Sequence, residues 1–187
     1  LRLPHLDRYE KPDFLIRAMV FHYARFETKE MNEQTAVWAK RLKMGRVPKA
    51  WFGHSWSNYV FGKGKDKEHP EWLALWSGER RGPHLCTSNQ DVRDWIVECV
   101  LEDAKTKGNT IVSISPSDGY GFCECEHCRA LDPPGTDYGA KLNLSNRHWD
   151  YADYIAREVK KRDPDLGVGM FAYTAYREPP TQIERLS

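Results

Sequence analysis

The stretch that most constrains this chain is Thr110–Asp132, TIVSISPSDGYGFCECEHCRALD, where a short apolar run leads into a glycine-punctuated loop and then into three closely spaced cysteines. Ile111, Val112, Ser113 and Ile114 are followed by Pro116 and Gly119, the pattern of a buried strand that ends in a loop. In sheets of parallel strands, the loops leaving the C-terminal strand ends carry the chemistry, so position alone makes Asp118 a candidate site residue. Asp118-Gly119 is equally good turn chemistry, because Asp tolerates turn geometry and Gly supplies positive φ.

Strand and helix patterns alternate around that stretch. Phe14–His22 reads as a first strand, and Asn32 or Glu33 to Met44 as a helix closed by Gly45. Ala50–Trp56 reads as the second strand. After a basic, glycine-containing loop at Phe61–Glu68, Trp72–Trp76 is joined to His84–Thr87 by turn residues, a hairpin-like excursion returning into a third strand. Ser88 with Asp91 approximates a capping box for the clearest helix, in which Val92, Trp95, Ile96, Cys99, Val100 and Ala104 recur at helical spacing up to Gly108. Thr110–Ser115 is the fourth strand, Ser145 can cap a helix with Ala152, Ile155 and Val159 on one face, and Gly167–Thr174 is the last strand.

This alternation predicts a parallel α/β architecture. A closed eight-stranded barrel needs ~250 residues, and the chain has 187. The expectation is therefore a single domain over residues 1–187 forming about the first five strands of a partial (β/α)8 TIM-type barrel, incomplete at its C-terminus. An open α/β sheet is the alternative.

Charge and motifs narrow the function. Lys and Arg number 28 against 27 Asp and Glu, which gives no electrostatic reason to expect nucleic acid. No apolar run approaches the ~20 residues of a membrane span. The chain starts at Leu1 with no signal-peptide pattern. It carries no G-x-G-x-x-G, phosphate-binding loop or G-x-S-x-G elbow, so neither a nucleotide cofactor nor serine-hydrolase chemistry is expected.

Of the five cysteines, Cys99 falls on the apolar stripe of a helix, where a small buried hydrophobe belongs. If Cys86 lies near the end of the third strand and Cys123–Cys128 beyond the fourth, neighbouring strands bring these four to one end of the sheet. Cys86, Cys123, Cys125 and Cys128 can then form a tetrahedral structural metal site, most simply for zinc. His127, inside the knuckle, and His148, within a helix pattern, are less favoured ligands. A disulfide from Cys86 to one of the three, or free thiols, are the competing readings. Either a metal or a disulfide staples the loop that bears Asp118.

The segments PDFLIRAM, WAKRLKMG, GHSW, HPEWLALWSGERR, LCTSNQDVRDW and SPSDGYGFCECEHCRALD together resemble the bacterial domain of unknown function 4838. That family is related to the (β/α)8 barrels of α-glucuronidases and β-N-acetylhexosaminidases. The likeness runs from about Pro12 to Pro180 and implies a carbohydrate-active barrel in a secreted or periplasmic polysaccharide-degrading system. The substrate would be a carbohydrate, and the remainder of the barrel would be required. The hexosaminidases carry an Asp-Glu pair at the end of the fourth strand, where this sequence has Asp118-Gly119.

Glycoside cleavage asks for two carboxyl groups, ~5 Å apart for retention and ~6.5 to 9.5 Å apart for inversion. Asp118 can serve as general acid or positioner, with Glu124 and Glu126 as candidate catalytic partners and Glu27 a further possibility. His54 and Trp56 close the second strand, where an imidazole can bind a sugar hydroxyl and an indole can form a stacking floor. Arg17, Tyr173 and His22 are weaker binding candidates, and Arg80-Arg81 could contact an acidic sugar or form a solvated edge. Two expectations result: a glycoside hydrolase acting through Asp118, or a non-catalytic carbohydrate-binding or structural module with a stapled cysteine loop. A carboxylate facing Asp118 across a cleft marks the first; Asp118 turned into its loop to accept backbone N–H groups marks the second.

Overall fold

The computed structural model describes residues 16–17, 29–42, 44–46, 50–138 and 142–183. The chain divides into two compact units, Leu1–Lys49 and Ala50–Ser187. In the first, strand β1 (Ile16–Arg17) pairs antiparallel with β2 (Gly45–Arg46), Ile16 opposite Arg46 and Arg17 opposite Gly45. Between them lies helix α1 (Lys29–Arg41), with Glu30 in its first turn and Lys40 and Arg41 in its last, the polarity that complements the helix dipole. The first strand was expected in a parallel sheet, and its described residues instead close an antiparallel pair. Gly45 enters that pair rather than capping the helix. His22 and Glu27 lie outside the described residues.

The second unit contains, in order, a π-helical turn Ser57–Phe61, α2 (Lys65–Glu68), a 3-10 turn Pro70–Trp72, β3 (Leu73–Trp76), β4 (Glu79–Leu85) and α3 (Gln90–Lys107). There follow β5 (Ile111–Ser113), α4 (Glu126–Arg129), α5 (Ser145–Arg162), β6 (Gly167–Gly169) and a 3-10 turn Thr174–Tyr176. Strand β5 is central. It pairs in parallel with β6, Val112 opposite Val168, and on its other side meets the Ala50–Ser55 segment, also in parallel, through bridges at Ile111 and Ser115. Trp51 N donates to Ile111 O at 3.1 Å and Ser55 N to Ser115 O at 3.0 Å.

The fold is thus mixed α/β, and the described residues form small sheets and no closed barrel. The expected third strand is the one displaced. His84–Thr87 does not enter the parallel set: β4 pairs antiparallel with β3, so the hairpin and α3 together make the crossover from the second expected strand directly to β5. Its sequence explains why. Glu79, Arg80, Arg81 and Pro83 are exposed, and charges and proline suit an edge that must not accept another strand.

The core lies between the parallel segments and helices α3 and α5. Alternation along β5 turns Val112 and Ile114 toward Val92, Ile96, Val100, Ile155 and Val159, all buried. Each such side chain contributes about 1.5–3 kcal/mol on full burial. Ser113 and Ser115 take the opposite face and satisfy backbone: Ser113 Oγ donates to Gly53 O at 2.6 Å, and Ser115 Oγ accepts from Phe171 N at 3.0 Å. Helix α3 ends at Gly108, whose φ of 64° is the left-handed cap geometry that glycine supplies. Its N-cap is Asn89, accepting from Val92 N at 3.1 Å, one residue beyond the expected Ser88.

Candidate metal centre and strand-end site

Strand β4 delivers Cys86, whose N–H donates to Trp72 O at 2.8 Å. The loop after β5 delivers the other three cysteines. Cys125 is the N-cap of α4 and Cys128 lies three residues on, so one helical turn places both on the same face. Cys86 Sγ stands 3.6 Å from Cys125 Sγ and 3.8 Å from Cys128 Sγ. All four ligand atoms, with Cys123, lie within 4.8 Å of one another. A tetrahedral site with Zn–S near ~2.3 Å sets its sulfurs ~3.8 Å apart, close to the observed separations. All five cysteines are free thiols. These four clustered cysteines can hold a metal ion such as zinc.

The surroundings suit thiolates. Leu75 N donates to Cys123 Sγ at 3.3 Å, the Arg80 guanidinium stands 3.9 Å from the same sulfur, and Ser88 Oγ lies 3.1 Å from Cys128 Sγ and 3.4 Å from Cys86 Sγ. Such outer groups orient ligands and offset their charge. Hydrogen bonding from Cys123 and then Cys128 draws the Cys86 thiol well below its ordinary range, while sharing with Cys128 and Cys86 pushes Cys123 up. Cys99 stands apart in α3, where burial raises its thiol to about 11. Arg80, expected at a solvated edge or on an acidic sugar, is exposed on that edge, and its Nη1 donates to Leu73 O at 2.8 Å while also reaching the cluster. Arg81 covers the Trp76 ring at 4.3 Å.

A second brace was not foreseen from the sequence. Arg147, buried in the first turn of α5, donates through Nε to Asp132 Oδ1 at 2.6 Å, through Nη2 to Asp132 Oδ2, and through Nη1 to the carbonyl of Cys123 at 2.5 Å. Tyr138 Oη donates to the same carboxylate at 2.6 Å. The cysteine loop is therefore gripped by the β3–β4 hairpin on one side and by α5 on the other. At Gly121, φ is 101° and an added Cβ would stand 2.7 Å from the Trp76 ring, so the approach to Cys123 requires glycine.

The C-terminal ends of the parallel segments collect the remaining candidates. His54, half-buried, shares a 2.5 Å hydrogen bond between Nδ1 and Pro116 O, which places the proton on Nδ1, and its ring lies 5.5 Å from Phe171 and 6.2 Å from Tyr173. Asp118 is exposed, and its Oδ1 accepts from the N–H of Gly119 at 3.0 Å. Trp56 departs from expectation. Its indole is fully buried, donates to Tyr151 Oη at 2.8 Å and meets His84, His148 and Tyr151, so it offers no open face for stacking a sugar.

Glu124 accepts from Ser77 N at 3.1 Å and is engaged by the hairpin; Glu126 is exposed on α4. Arg17 sits in β1 of the first unit. A cavity of about 160 Å³ is lined by Trp76, Tyr120, Phe122, Glu124 and Tyr138 among others, and neither Asp118, His54 nor Tyr173 borders it. Sequence reasoning missed His84 and Tyr176, both fully buried at this end of the unit.

His148, against Tyr176 and Trp56, gives a pH prediction. It is fully buried, Nδ1–H donates to Leu144 O at 3.0 Å, and burial lowers its pKa from 6.5 to about 3, with Arg147 and His84 opposing its charge as well. Between those values the unfolded chain holds a proton that the folded chain refuses. The stabilisation is complete above about 6.5 and lost as pH falls toward 3, amounting to roughly 2–3 kcal/mol by pH 4.5. Urea unfolding at pH 7 and 4.5 should show this loss in the wild type and a smaller one in His148→Phe. Equal losses in both would show that His148 does not titrate this way.

Among the described residues, no helix is long and apolar enough to cross a membrane. Compared with curated proteins and with solved structures, the chain matches none. The family model for a domain of unknown function, DUF4838, matches residues 1–186, and the chain belongs to that family.

Proposed function

We propose that this chain is a carbohydrate-active domain of glycoside-hydrolase type, with a structural zinc held by Cys86, Cys123, Cys125 and Cys128. In this reading the parallel βαβαβ order is part of a (β/α)8 barrel, and the protein works in a secreted or periplasmic polysaccharide-degrading system. The observation that carries it is that His54 and Tyr173, with rings 6.2 Å apart, and Asp118 follow three neighbouring parallel segments, Asp118 on the loop gripped by the cysteine cluster. Zinc bound there supplies rigidity rather than a reacting atom, since four protein sulfurs fill a tetrahedral shell. Asp118 is the acid/base candidate, exposed where a glycosidic oxygen can approach, with Glu124 or Glu126 as its partner carboxylate. His54, its Nδ1 proton spent on Pro116, presents Nε2 as an acceptor for a sugar hydroxyl.

One contact favours a second reading. Because Asp118 Oδ1 takes the N–H of Gly119, the carboxylate also serves its own turn, as a non-catalytic carbohydrate-binding module would have it. Reducing-sugar release from a panel of polysaccharides, run beside a binding assay on the same panel, separates the two. Hydrolysis that falls ~100-fold or more in Asp118→Asn supports acid/base catalysis. Binding without turnover supports the module, and neither binding nor turnover sinks the carbohydrate reading.

A further inference from the structure

Gly119, Tyr120 and Gly121 project an aromatic ring from a loop that is held on both sides. The glycines have φ of 97° and 101°, a geometry that suits no other residue well. Gly119 O accepts from His84 Nε2 at 3.1 Å. Beyond it, Gly121 packs on the Trp76 ring and the N–H of Glu124 donates to Leu75 O at 2.7 Å. Between these ties Tyr120 is 81% exposed, and among the described residues no ring or cation packs against it. A ring so exposed adds little to the core, and side chains displayed on loops that a rigid scaffold positions are the common means of binding a ligand.

Tyr120 lines the cavity of about 160 Å³, and it and Tyr138 are the exposed large rings of that lining, so the cavity is open to solvent. A cavity of ~150 Å³ has room for a six-membered ring. The other aromatic walls are already engaged: Trp76 by Arg81 and Gly121, Phe122 by His84, and Tyr138 by Arg129. Tyr120 is therefore the ring left to stack on a ligand. Of the charged walls, Arg147 spends its guanidinium on Asp132 and the Cys123 carbonyl. Glu124 commits Oε2 to Ser77 N at 3.1 Å and keeps Oε1 as an acceptor. A free aromatic face beside a carboxylate acceptor complements a pyranose, whose C–H face is apolar and whose rim carries hydroxyl donors.

Tyr120 follows Asp118 by two residues, so their Cα atoms lie at most ~7 Å apart. Asp118 does not border the cavity, and a sugar held there is the neighbour of the one that Asp118 faces. We infer that this cavity is a pyranose-binding subsite adjoining Asp118, in which Tyr120 stacks on the sugar ring and Glu124 accepts its hydroxyls. The inference rests on the carbohydrate reading above and gives that site a second sugar position.

Calorimetric titration of the full chain with soluble xylo-, cello- and chito-oligosaccharides, together with thermal melts, tests the inference. Tyr120→Ala removes the exposed ring, and Glu124→Gln removes the charge while keeping an oxygen for Ser77 N. Each variant is expected to melt with the wild type and to bind the oligosaccharide roughly tenfold more weakly. Tyr120→Phe keeps the ring and is expected to keep the affinity; a loss as large as that of Tyr120→Ala overturns the stacking role. A purely structural role would move the melt and leave affinity alone. Wild-type affinity in both Tyr120→Ala and Glu124→Gln overturns the subsite and leaves the carbohydrate reading standing. No binding of any of these oligosaccharides by the wild type overturns both.

Discussion

Protein purified without added zinc is expected to carry one equivalent of the metal, and stripping it with a chelator is expected to lower the unfolding free energy by at least ~4 kcal/mol. That figure is the linkage stabilisation from a ligand present at ~1,000 times its dissociation constant, and structural zinc sites bind more tightly still. The loss should be larger than cavity formation at any single cysteine explains, because the three sulfurs of the loop are held to the hairpin through Cys86. Cys128→Ser and Cys86→Ser should each abolish stoichiometric zinc. Cys99→Ala should retain it, since Cys99 packs in α3 away from the cluster.

The readouts are metal content, thiol titration and urea unfolding with and without chelator. Five titratable thiols in metal-free protein that unfolds at the same urea concentration would sink the zinc staple. The functional consequence is local. Hydrogen exchange at residues 117–128 should accelerate on zinc removal while the α3 and α5 amides change only with global stability, because the cluster grips the loop and the core is built elsewhere.

Much of this site was legible in the sequence because its signals were local. The apolar run of β5, the Asp118 turn and the C-x-C-x-x-C spacing each require only neighbouring residues, and Cys86 followed from expecting two chain segments to end together. The cluster is reached by another route, however: the β3–β4 hairpin carries Cys86 to it, not a parallel third strand. The two arginines and Pro83 within β4 were the available sign of an edge strand.

Trp56 was misread because the alternation of Ala50–Trp56 stops at Ser55, where a helical turn begins and swings the indole into the core. The caps slipped by a similar margin. Ser88 and Asn89 are both good N-caps, and which one serves is decided by tertiary structure: Ser88 is taken up by the thiols, and Asn89 caps. At the other helix, Asn143 Oδ1 accepts from the N–H of Ser145, the residue expected to cap. Arg147 left one signal that sequence reading could have used. A cation in the first turn of a helix opposes the dipole and needs a compensating partner.

That partner is Asp132, and the pair yields the second large effect. Arg147 and Asp132 are both buried, joined by two parallel hydrogen bonds, with Tyr138 completing the carboxylate. Desolvating two charges offsets most of their attraction, so the pair adds little net stability compared with an apolar pair of the same volume. Removing one partner is different, because it leaves the other charge buried and unpaired. Asp132→Ala is expected to destabilise by about 3–5 kcal/mol, and the double variant Asp132→Leu/Arg147→Met to recover most of that loss.

Urea unfolding of Asp132→Leu, Arg147→Met and the double variant closes the cycle, with an expected coupling of a few kcal/mol. Additive single effects would mean the pair is not coupled as drawn. The double variant also separates fold from site: Arg147 Nη1 holds the carbonyl of Cys123, so even a stable double variant should bind zinc more weakly than wild type. Unchanged zinc affinity in that variant would show that the hairpin grips the cysteine loop without help from α5.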